Sequence, residues 1–405
     1  MNRRCLFAAV AITALAIPAV AGEFSWPQWR GADQTGVSLE TGLLAAWPEA
    51  GPSVLWRMPL GSGFSSVAVE GGKAYTLYGT DKEEMCVCLD AATGRVVWKK
   101  RIGAIYKNSW GDGPRATPTI HQGKVYAFSG NGDLACLDAE TGVEIWGANL
   151  LRKYGAQNLE WGMAGSPYIE GDMVVMNPGG SGGKSVVALD KNTGETIWTS
   201  LNDKAGYSTV VGIDVDGMRQ LVIFTAEAVV GLAPGNGAEL WRYPWKTRYD
   251  CNIATPIYRD NKLFISSNYG EGCALLGLNA HDGKATARTI YRNKNMNNHF
   301  NSSILVGDFL FGFDDATLAC LDFETGETRW TQKGFNKGSV LAADGKLIVY
   351  GERAQLALAE ASGEAYKEIS RCQALDGKTW TVPTLCNGRL YVRNEKEIAC
   401  LKIAP

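Results

Sequence analysis

Apolar and polar residues alternate over short segments of this chain, and turn residues separate the segments. In one such segment Tyr126 and Phe128 share a face, and a Gly stands in each gap between this segment and its neighbours. Alternation with a period of two residues, bounded by turn residues, is typical of β-strands joined in hairpins. The pattern predicts four antiparallel strands, at residues 117–121, 124–129, 134–138 and 144–148.

The third and fourth of these segments contain a sequence, CLDAETGVEIW, that returns along the chain. Clear copies of Asp-x-x-Thr-Gly followed by Trp begin at Asp90, Asp138, Asp190 and Asp322; weaker copies lie at 231–241, 277–283 and 357–363, and a half-copy at 400–401. The mean spacing is about 45 residues, and such a period with several short strands per unit is typical of propeller blades. The eight units predict an all-β fold, an eight-bladed β-propeller with four antiparallel strands per blade, over residues 54–405.

The recurring Asp, Thr and Gly have a local physical cause. A short Asp side chain can accept hydrogen bonds from the backbone N–H groups just ahead of it, and Gly adopts the left-handed conformation that a hairpin turn requires. The Trp lies on the outermost strand, where its ring can fill the gap between neighbouring blades and bury on the order of 200 Å². Because the Trp recurs with the repeat, we interpret it as a packing residue and not as part of a cofactor site.

The two ends of the repeat region complement each other. The last unit has predicted strands at 382–385, 389–393 and 398–403 and no fourth strand, whereas residues 54–58 form a fourth strand without its three partners. We expect the two ends to complete one blade together, because an incomplete ring would present strand edges to solvent.

The first 21 residues have the three-part layout of a cleavable secretory signal. Arg3 and Arg4 precede an apolar run at 6–17, which is too short for a comfortable membrane span. Cys5 precedes this run, whereas a lipid-anchor cysteine would follow it. We therefore expect an exported, soluble monomer, periplasmic or secreted. Its arm at 22–53 is expected to lie across the outside or one end of the ring.

Composition argues against several kinds of site. The formal net charge of −2 is unfavourable for binding nucleic acid. The three histidines, His121, His281 and His299, fall in different units without metal-ligand spacing, so a structural zinc or a His-based catalytic triad has little support. The segment 178–185, PGGSGGKS, lacks the first Gly of a phosphate-binding loop and joins two predicted strands, so we interpret it as a hairpin loop.

Cysteines would suggest a disulfide framework in an exported protein. Cys88, Cys136, Cys320 and Cys400 share one blade position, however, and would lie far apart around the ring. We expect them to be small buried apolar residues. Four cysteines lie outside the repeat register: Cys251, Cys273, Cys372 and Cys386. One disulfide could form among them.

We expect functional residues in the loops that lead from the outer strand of one blade into the inner strand of the next. These loops, here called the axial loops, gather around the central axis, and loops on a rigid scaffold carry recognition residues. The candidate binding residues are aromatic or hydrogen-bonding: Trp110, Asp112, Arg115, Glu160, Trp161, Tyr249, Asp250, Asn252, Asn298, His299, Asn301, Lys337 and Trp380. Tyr106, Asn108, Tyr207 and Asn297 accompany them. Together they predict a polar, aromatic-walled funnel, a common form of small-molecule site.

The Asp-x-x-Thr-Gly-x-x-x-Trp units resemble the repeats of the pyrroloquinoline-quinone (PQQ) family of β-propellers. This family includes quinoprotein alcohol dehydrogenases and BamB, a non-catalytic scaffold of the outer-membrane barrel-assembly machinery. The resemblance covers about residues 54–405, and the opening WPQWRG at 26–31 resembles the start of many exported members.

The resemblance implies two different functions. The first is an exported, non-catalytic binding or scaffold module of the cell envelope, with an envelope protein, a glycan or a small molecule as its partner. The alternative is a PQQ- and calcium-dependent dehydrogenase that oxidises an alcohol or a sugar. In that case oxygen ligands for calcium are nominated by loop position alone, and they are Asp112, Glu160, Asp250, Asn252 and Asn301. Trp110, Trp161 or Trp380 would then stack on the quinone.

The dehydrogenases that the repeats resemble are longer and carry a disulfide between adjacent cysteines that packs on the quinone. This chain has no adjacent cysteines, which favours the non-catalytic interpretation. A third class, propeller lyases and glycan hydrolases, commonly uses a pair of acids across the axis, and Asp112 with Asp250 is the candidate pair.

Overall fold

The computed structural model describes residues 24–405 as eight four-stranded antiparallel sheets. Each sheet is one blade, and its strands follow one another from the inner strand at the axis to the outer strand at the rim. The prediction of an eight-bladed propeller is confirmed. The predicted signal at 1–21 lies outside the described residues. No helix within 24–405 has the length and apolar character needed to cross a membrane.

The strands are numbered in chain order. The first half comprises β1 (Ser53–Pro59), β2 (Ala68–Glu70), β3 (Lys73–Gly79), β4 (Glu83–Asp90), β5 (Val96–Ala104), β6 (Thr119–His121), β7 (Lys124–Phe128), β8 (Asp133–Asp138), β9 (Glu144–Asn149), β10 (Tyr168–Glu170), β11 (Met173–Met176), β12 (Val186–Asp190), β13 (Thr196–Ser200), β14 (Val211–Val215), β15 (Met218–Phe224), β16 (Ala228–Leu232) and β17 (Glu239–Pro244). The second half comprises β18 (Ile257–Arg259), β19 (Lys262–Ser267), β20 (Gly272–His281), β21 (Lys284–Asn293), β22 (Ile304–Val306), β23 (Phe309–Asp314), β24 (Thr317–Asp322), β25 (Thr328–Gln332), β26 (Gly338–Ala343), β27 (Lys346–Gly351), β28 (Gln355–Glu360), β29 (Glu368–Gln373), β30 (Thr384–Cys386), β31 (Arg389–Arg393) and β32 (Glu397–Lys402). A short helix α1 (Leu150–Tyr154) and a 3-10 turn (Arg248–Asp250) lie between strands.

Blades 1 to 7 each take four consecutive strands, beginning with β2–β5 and ending with β26–β29, and blade 8 combines β30–β32 with β1. In blade 2 the predicted segments correspond to β6–β9, with boundaries that differ by one or two residues. The inner strands are mostly the shortest of their blades, and six of the eight have only three residues. The third strands are buried along most of their length, because neighbouring blades cover both of their faces.

Blade 8 closes the ring as predicted. Strand β1 pairs antiparallel with β32, with Val54 opposite Leu401 and Met58 opposite Ile398. Arg393, at the end of β31, is fully buried and links this blade to blade 1 by donating hydrogen bonds to the carbonyls of Ser65 at 3.1 Å and Leu77 at 2.6 Å. These carbonyls satisfy a buried cation that would otherwise be costly to desolvate.

The turns between the third and fourth strands have the predicted chemistry. Oδ1 of Asp138 accepts hydrogen bonds from the backbone N–H of Glu140 at 3.1 Å and of Thr141 at 2.8 Å, and from the Thr141 hydroxyl at 2.7 Å. Gly142 follows with φ of 71°. The same bonding recurs at the turns that begin with Asp90, Asp190 and Asp322.

The repeated Trp residues join each blade to the next. Trp98 of blade 1 donates its indole N–H to the carbonyl of Ala139 in blade 2, at 3.0 Å. Its ring packs against Gly142 of the same turn, where a Cβ atom would lie 2.7 Å from the ring. The Gly is therefore required twice, for its positive φ and for the close approach of the Trp. The indole N–H groups of four more Trp residues donate to backbone carbonyls of the next blade in the same way: Trp56, Trp146, Trp198 and Trp330.

The interface between blades 4 and 5 departs from this arrangement. Trp241 of blade 4 donates to Gln220 of its own blade at 2.7 Å. Blade 5 lacks the Asp-Thr-Gly turn and has instead a tight hairpin at Asp282 and Gly283, both with positive φ. The turn that normally receives the Trp is absent there, so the indole finds a partner within its own blade.

The arm at 24–52 crosses the end of the ring opposite the axial loops and reaches into the central channel. Trp26 pairs with Val69 of blade 1, and the Trp29 indole donates to Thr255 at 2.9 Å. Arg30 is buried, and its guanidinium donates to the carbonyls of Gln34, Thr35 and Ser303. Burial lowers the pKa of Arg30 to about 9. The motif at 26–31 thus plugs the channel, and the funnel opens at one end only.

The cysteines on the repeat register are buried as expected, and burial raises the pKa of the Cys88 and Cys320 thiols to about 12. Cys251, Cys273 and Cys372 form no disulfide within the described residues. The sulfur of Cys386 lies 3.2 Å from the carbonyl oxygen of Phe24.

Replacing Gly142 by Ala tests the packing of Trp98 on its turn. Gly123 is the matched control, because it has φ of 74° and a Cβ atom added there would have no other atom within 4 Å. We expect Gly123→Ala to cost about 1–2 kcal/mol from backbone strain alone, and Gly142→Ala to cost about 1–3 kcal/mol more from overpacking. Urea denaturation followed by Trp fluorescence measures both. Equal losses in the two variants would contradict the packing role of the turn.

Candidate functional site

The axial loops and the loops between second and third strands lie at the same end of the ring, because antiparallel strands reverse direction at each turn. Trp110 and Arg115 come from the axial loop into blade 2, and Trp161 from the loop into blade 3. Tyr269 comes from the loop between β19 and β20 of blade 5. Residues from many blades therefore meet around the axis at this end.

Seven rings and one guanidinium form a closed circuit, here called the aromatic belt. Its members, in order around the axis, are Phe64, Arg115, Trp161, Tyr249, Tyr269, His299, Phe300 and Trp380. Successive ring centroids lie 4.8–5.7 Å apart. Arg115 closes the circuit, since its guanidinium lies 5.5 Å from the Phe64 ring and its Nε donates to the Trp161 carbonyl at 2.7 Å.

The belt is accessible from solvent. Tyr249 is 43% exposed and Tyr269 37% exposed, and Trp110, which stacks on Trp380 at 6.5 Å, is 62% exposed. Large aromatic side chains rarely remain this exposed in such a cluster, and contiguous exposed apolar surface marks binding sites. Tyr249 also has a positive φ of 63°, an uncommon conformation for an aromatic residue, which holds its ring over the axial end.

Four residues at the belt escaped the sequence prediction: Phe64, Tyr269, Phe300 and Lys378. Phe64 and Phe300 lie in axial loops and fit the same positional rule as the predicted residues. Tyr269 lies in the other set of loops at this end, which alternation of strand direction would have identified. The ammonium of Lys378 lies 4.4 Å from the centroid of Trp380 and donates to the Trp110 carbonyl at 2.6 Å.

Arg115 is held by a network beneath the belt. Its guanidinium lies 4.6 Å from the Tyr106 ring, and it donates to the carbonyls of Gly111 and Gly113. Glu84 lies close by and is fully buried. Its carboxylate accepts hydrogen bonds from the backbone N–H of Tyr106 at 3.0 Å and of Gly130 at 2.8 Å. Burial raises the pKa of Glu84 to about 7, although the two hydrogen bonds and the charge of Arg115 oppose this rise.

His299 lies between Lys337 and Tyr269, and its contacts with them fix the tautomer of its imidazole. Its Nδ1 lies 2.7 Å from Lys337 Nζ, and its Nε2 lies 3.2 Å from the Tyr269 hydroxyl. Burial, reinforced by the charge of Lys337, lowers the pKa of His299 to about 4, so the imidazole is neutral at neutral pH. Because an ammonium can only donate, Nδ1 accepts and Nε2–H donates to Tyr269. Lys337 also pairs with Asp315.

Two predicted site residues, Asn252 and Asn298, use both ends of their amides in structural hydrogen bonds, and Asn301 uses one end. The Asn252 amide donates to the carbonyls of Thr225 and Trp245 and accepts from Ser267, so both of its ends are used. Asn298 donates to the Phe313 carbonyl and accepts from Ser303. Asn301 donates to the Gly338 carbonyl, and its buried Oδ1 has no hydrogen-bond partner within the described residues.

The three predicted acids lie near the funnel, and Asp250 and Glu160 both lie close enough to Cys251 to act on its thiol. Asp112 accepts from Lys107 Nζ and from the Asn108 N–H, both at 2.9 Å; burial opposes ionisation of this carboxyl, but the two hydrogen bonds outweigh burial and lower its pKa. Asp250 lies 3.7 Å from Lys204. The Glu160 carbonyl accepts from the Tyr106 hydroxyl at 2.6 Å. Because a general acid needs a raised pKa, Asp112 is a poor candidate for the proton-donating member of a pair with Asp250.

The side chains nominated for calcium do not form a carboxylate-rich site, although Oδ1 of Asn301 is free of hydrogen bonds in the part of the chain that the structure describes. Calcium takes six to eight oxygen ligands, several of them carboxylates. Within residues 24–405 no three Asp, Glu, His or Cys side chains lie close enough together to hold a metal ion. Of the five nominated ligands, Asn252 has no free amide oxygen, and Asp112 is already paired with a lysine.

The repeat, the eight blades and the axial funnel define the class of PQQ-like propellers. A family model described as "Outer membrane protein assembly factor BamB" matches residues 40–146 and 104–332, and the chain belongs to this family.

The chain is similar both to BamB and to alcohol dehydrogenases that use a quinone. The dehydrogenase subunit of the quinone alcohol dehydrogenase from Komagataeibacter europaeus is 32% identical over 131 residues, which covers 30% of this chain and only 18% of that protein. BamB from Moraxella catarrhalis has a TM-score of 0.60 at 16% identity, covering 86% of this chain and 99% of its own. The quinohemoprotein alcohol dehydrogenase from Comamonas testosteroni has a TM-score of 0.65 at 13% identity, covering 94% of this chain and 81% of its own. At these identities the structural likenesses establish the fold alone.

The raised pKa of Glu84 predicts a pH dependence of stability. Between its ordinary pKa of 4.5 and about 7, the folded protein holds a proton that the unfolded chain has lost, so stability falls as pH rises through this window. We expect the loss to be on the order of 3 kcal/mol, and Glu84→Gln to remove it. Urea denaturation of both proteins between about pH 4 and 8 measures the difference. Parallel stability curves would contradict the assignment.

Proposed function

We propose that this protein is an exported, non-catalytic binding module of the cell envelope, and that the aromatic belt with Trp110 is its recognition surface. The observation that carries the proposal is the closed circuit of rings around the axis, with Trp110, Tyr249 and Tyr269 open to solvent. Membership of the BamB family supports it. Location in the periplasm or outside the cell remains part of the proposal and rests on the signal predicted at 1–21.

Ring surfaces supply binding energy at low entropic cost. Trp and Tyr side chains present large rigid areas with few rotatable bonds, and they dominate the energetics of many interfaces. The belt rings are held from below or from the side, for example Trp380 by a 2.9 Å hydrogen bond from its indole to Glu352. Such rings need little reordering when a partner binds, which is the advantage of a preorganised site.

Cations placed on the rings make the surface amphipathic. The Arg248 guanidinium lies 4.7 Å from the Tyr249 centroid, and Lys378 lies over Trp380. The neutral His299 accepts a hydrogen bond from Lys337 and donates one to the Tyr269 hydroxyl, so the charge of Lys337 polarises both bonds. The Tyr269 hydroxyl still has its own proton to donate. A partner that offers flat apolar groups and oxygen acceptors would satisfy both features. An envelope protein, a glycan or a small molecule can meet this requirement.

The experiment is affinity purification of the tagged protein from its own envelope, with Trp110→Ala as the test variant. We expect the parent protein to recover a specific partner and the variant to bind it at least about tenfold more weakly, since buried aromatic anchors contribute about 2 kcal/mol or more. Leu39→Ala is the control, because Leu39 is an exposed apolar residue of the arm at the opposite end.

Two outcomes would reject the proposal. One is recovery of the same partner, at undiminished affinity, by the Trp110 variant. The other is the absence of any partner together with dye-linked oxidation of an alcohol or sugar after addition of PQQ and calcium.

A further inference from the structure

A cavity of about 520 Å³ lies at the end of the ring opposite the aromatic belt. Its roof is the arm at Pro27, Gln28 and Ala32, and its floor is formed by blades 2 and 3. This volume is within the range of small-molecule sites, about 300–1,000 Å³. The cavity is independent of the funnel, because the arm plugs the channel between them at Arg30.

The cavity exists because the arm bypasses blade 3. The arm hydrogen-bonds to the other blades, for example through Pro27 to Ile120 of blade 2, Gln34 to Val210 of blade 4 and Leu44 to Ile403 of blade 8. Among residues 24–405 no hydrogen bond joins the arm to blade 3. The gap is therefore a fixed feature of how the arm is anchored on both sides of it.

Blade 3 places a buried lysine at this gap, where the repeat has small or apolar residues. Lys191 follows Asp190 in the turn between β12 and β13, and the equivalent residues are Ala91, Ala139 and Phe323. Lys191 is only 6% exposed. A residue that departs from the pattern of its repeat is a candidate for function, and a buried ammonium is costly unless it is paired and hydrogen-bonded.

The Lys191 ammonium has spare capacity toward the cavity. It donates a hydrogen bond to the Gly171 carbonyl and forms an ion pair with Oδ1 of Asp172, each at 3.0 Å. An ammonium has three N–H donors, so at least one remains. The Asp172 side chain is 84% exposed, which weakens its attraction through solvent screening. A better anion partner could displace or supplement this carboxylate.

His121 lines the same cavity, and the charges around the cavity change its pKa. Burial lowers the pKa of His121, and the nearby cations Lys191 and Lys124 lower it further, while Asp172 opposes them. The arm residues above it, at 27, 28 and 32, are not titratable. Lys191 and Asp172 are the charged residues of the cavity lining, and Lys124 lies close enough to act on His121.

We propose that this cavity is a second binding site, for a small organic anion that carries a carboxylate or a phosphate, with the Lys191 ammonium as the principal contact. An anion in the cavity would stabilise the imidazolium form of His121. Bound anion should therefore raise the pKa of His121, and binding should tighten as pH falls through that pKa.

The test is NMR titration of the histidine side chains in the full-length mature protein. The chain has three histidines, so each imidazole signal can be assigned by single substitution. Inorganic phosphate and succinate are the probes, and uncharged succinamide is the control ligand. We expect phosphate or succinate to shift His121 saturably and to raise its pKa, with His281 and His299 unmoved. The probe that binds more tightly identifies phosphate or carboxylate as the recognised group.

Two variants give opposite expectations. Lys191→Ala installs the residue that blades 1 and 2 carry at this turn, so the fold should tolerate it, and it should weaken binding about tenfold or more, as loss of a charge-assisted hydrogen bond does. Asp172→Asn removes the competing carboxylate and should tighten binding. Lys284→Ala, in the exposed β20–β21 hairpin, should leave it unchanged. The proposal is overturned if neither anion shifts His121, if succinamide binds equally, or if Lys191→Ala binds like the parent.

Discussion

The structure depends on the contact between the outer-strand Trp of five blades and the turn of the next blade. A blade is a twisted sheet with two apolar faces, and it is stable only when neighbours cover both. At five of the eight interfaces the indole N–H reaches a backbone carbonyl of the next turn, and at four of these the ring lies on a glycine that leaves room for it. Together with the pairing of β1 with β32, this contact holds the eight blades in a closed ring.

Closure gives the two ends of the ring different roles. At one end the axial loops of several blades bring aromatic rings into the belt, and their backbone conformations hold the rings open to solvent. At the other end the arm enters the channel and buries Arg30 among carbonyls. The arm thereby makes the funnel single-ended, and the gap it leaves at blade 3 contains the buried Lys191.

The sequence predicted the positions of the aromatic residues of the candidate site more accurately than the roles of its Asn residues. Four predicted aromatic residues lie at the belt or stack on it: Trp110, Trp161, Tyr249 and Trp380. A short axial loop allows a large ring few positions, so its location follows from its place in the sequence. Asn252 and Asn298 come from the same loops but turn inward to satisfy backbone carbonyls. An amide serves equally well as a structural or a ligand-binding group, and position in a loop does not distinguish the two. The binding role of the whole set remains a prediction.

The sequence by itself determined the repeat, the blade number, the turn chemistry and the closure, because each of these depends on interactions within about 45 residues or on a pattern repeated eight times. Only the tertiary structure decided which loop residues meet, how His299 is placed between Lys337 and Tyr269, and where the arm leaves a cavity. Those outcomes depend on contacts between side chains of different blades or of the arm, and such contacts do not repeat from one unit to the next. The protonation of Glu84 and His299 was decided in the same way, since burial by distant segments sets it.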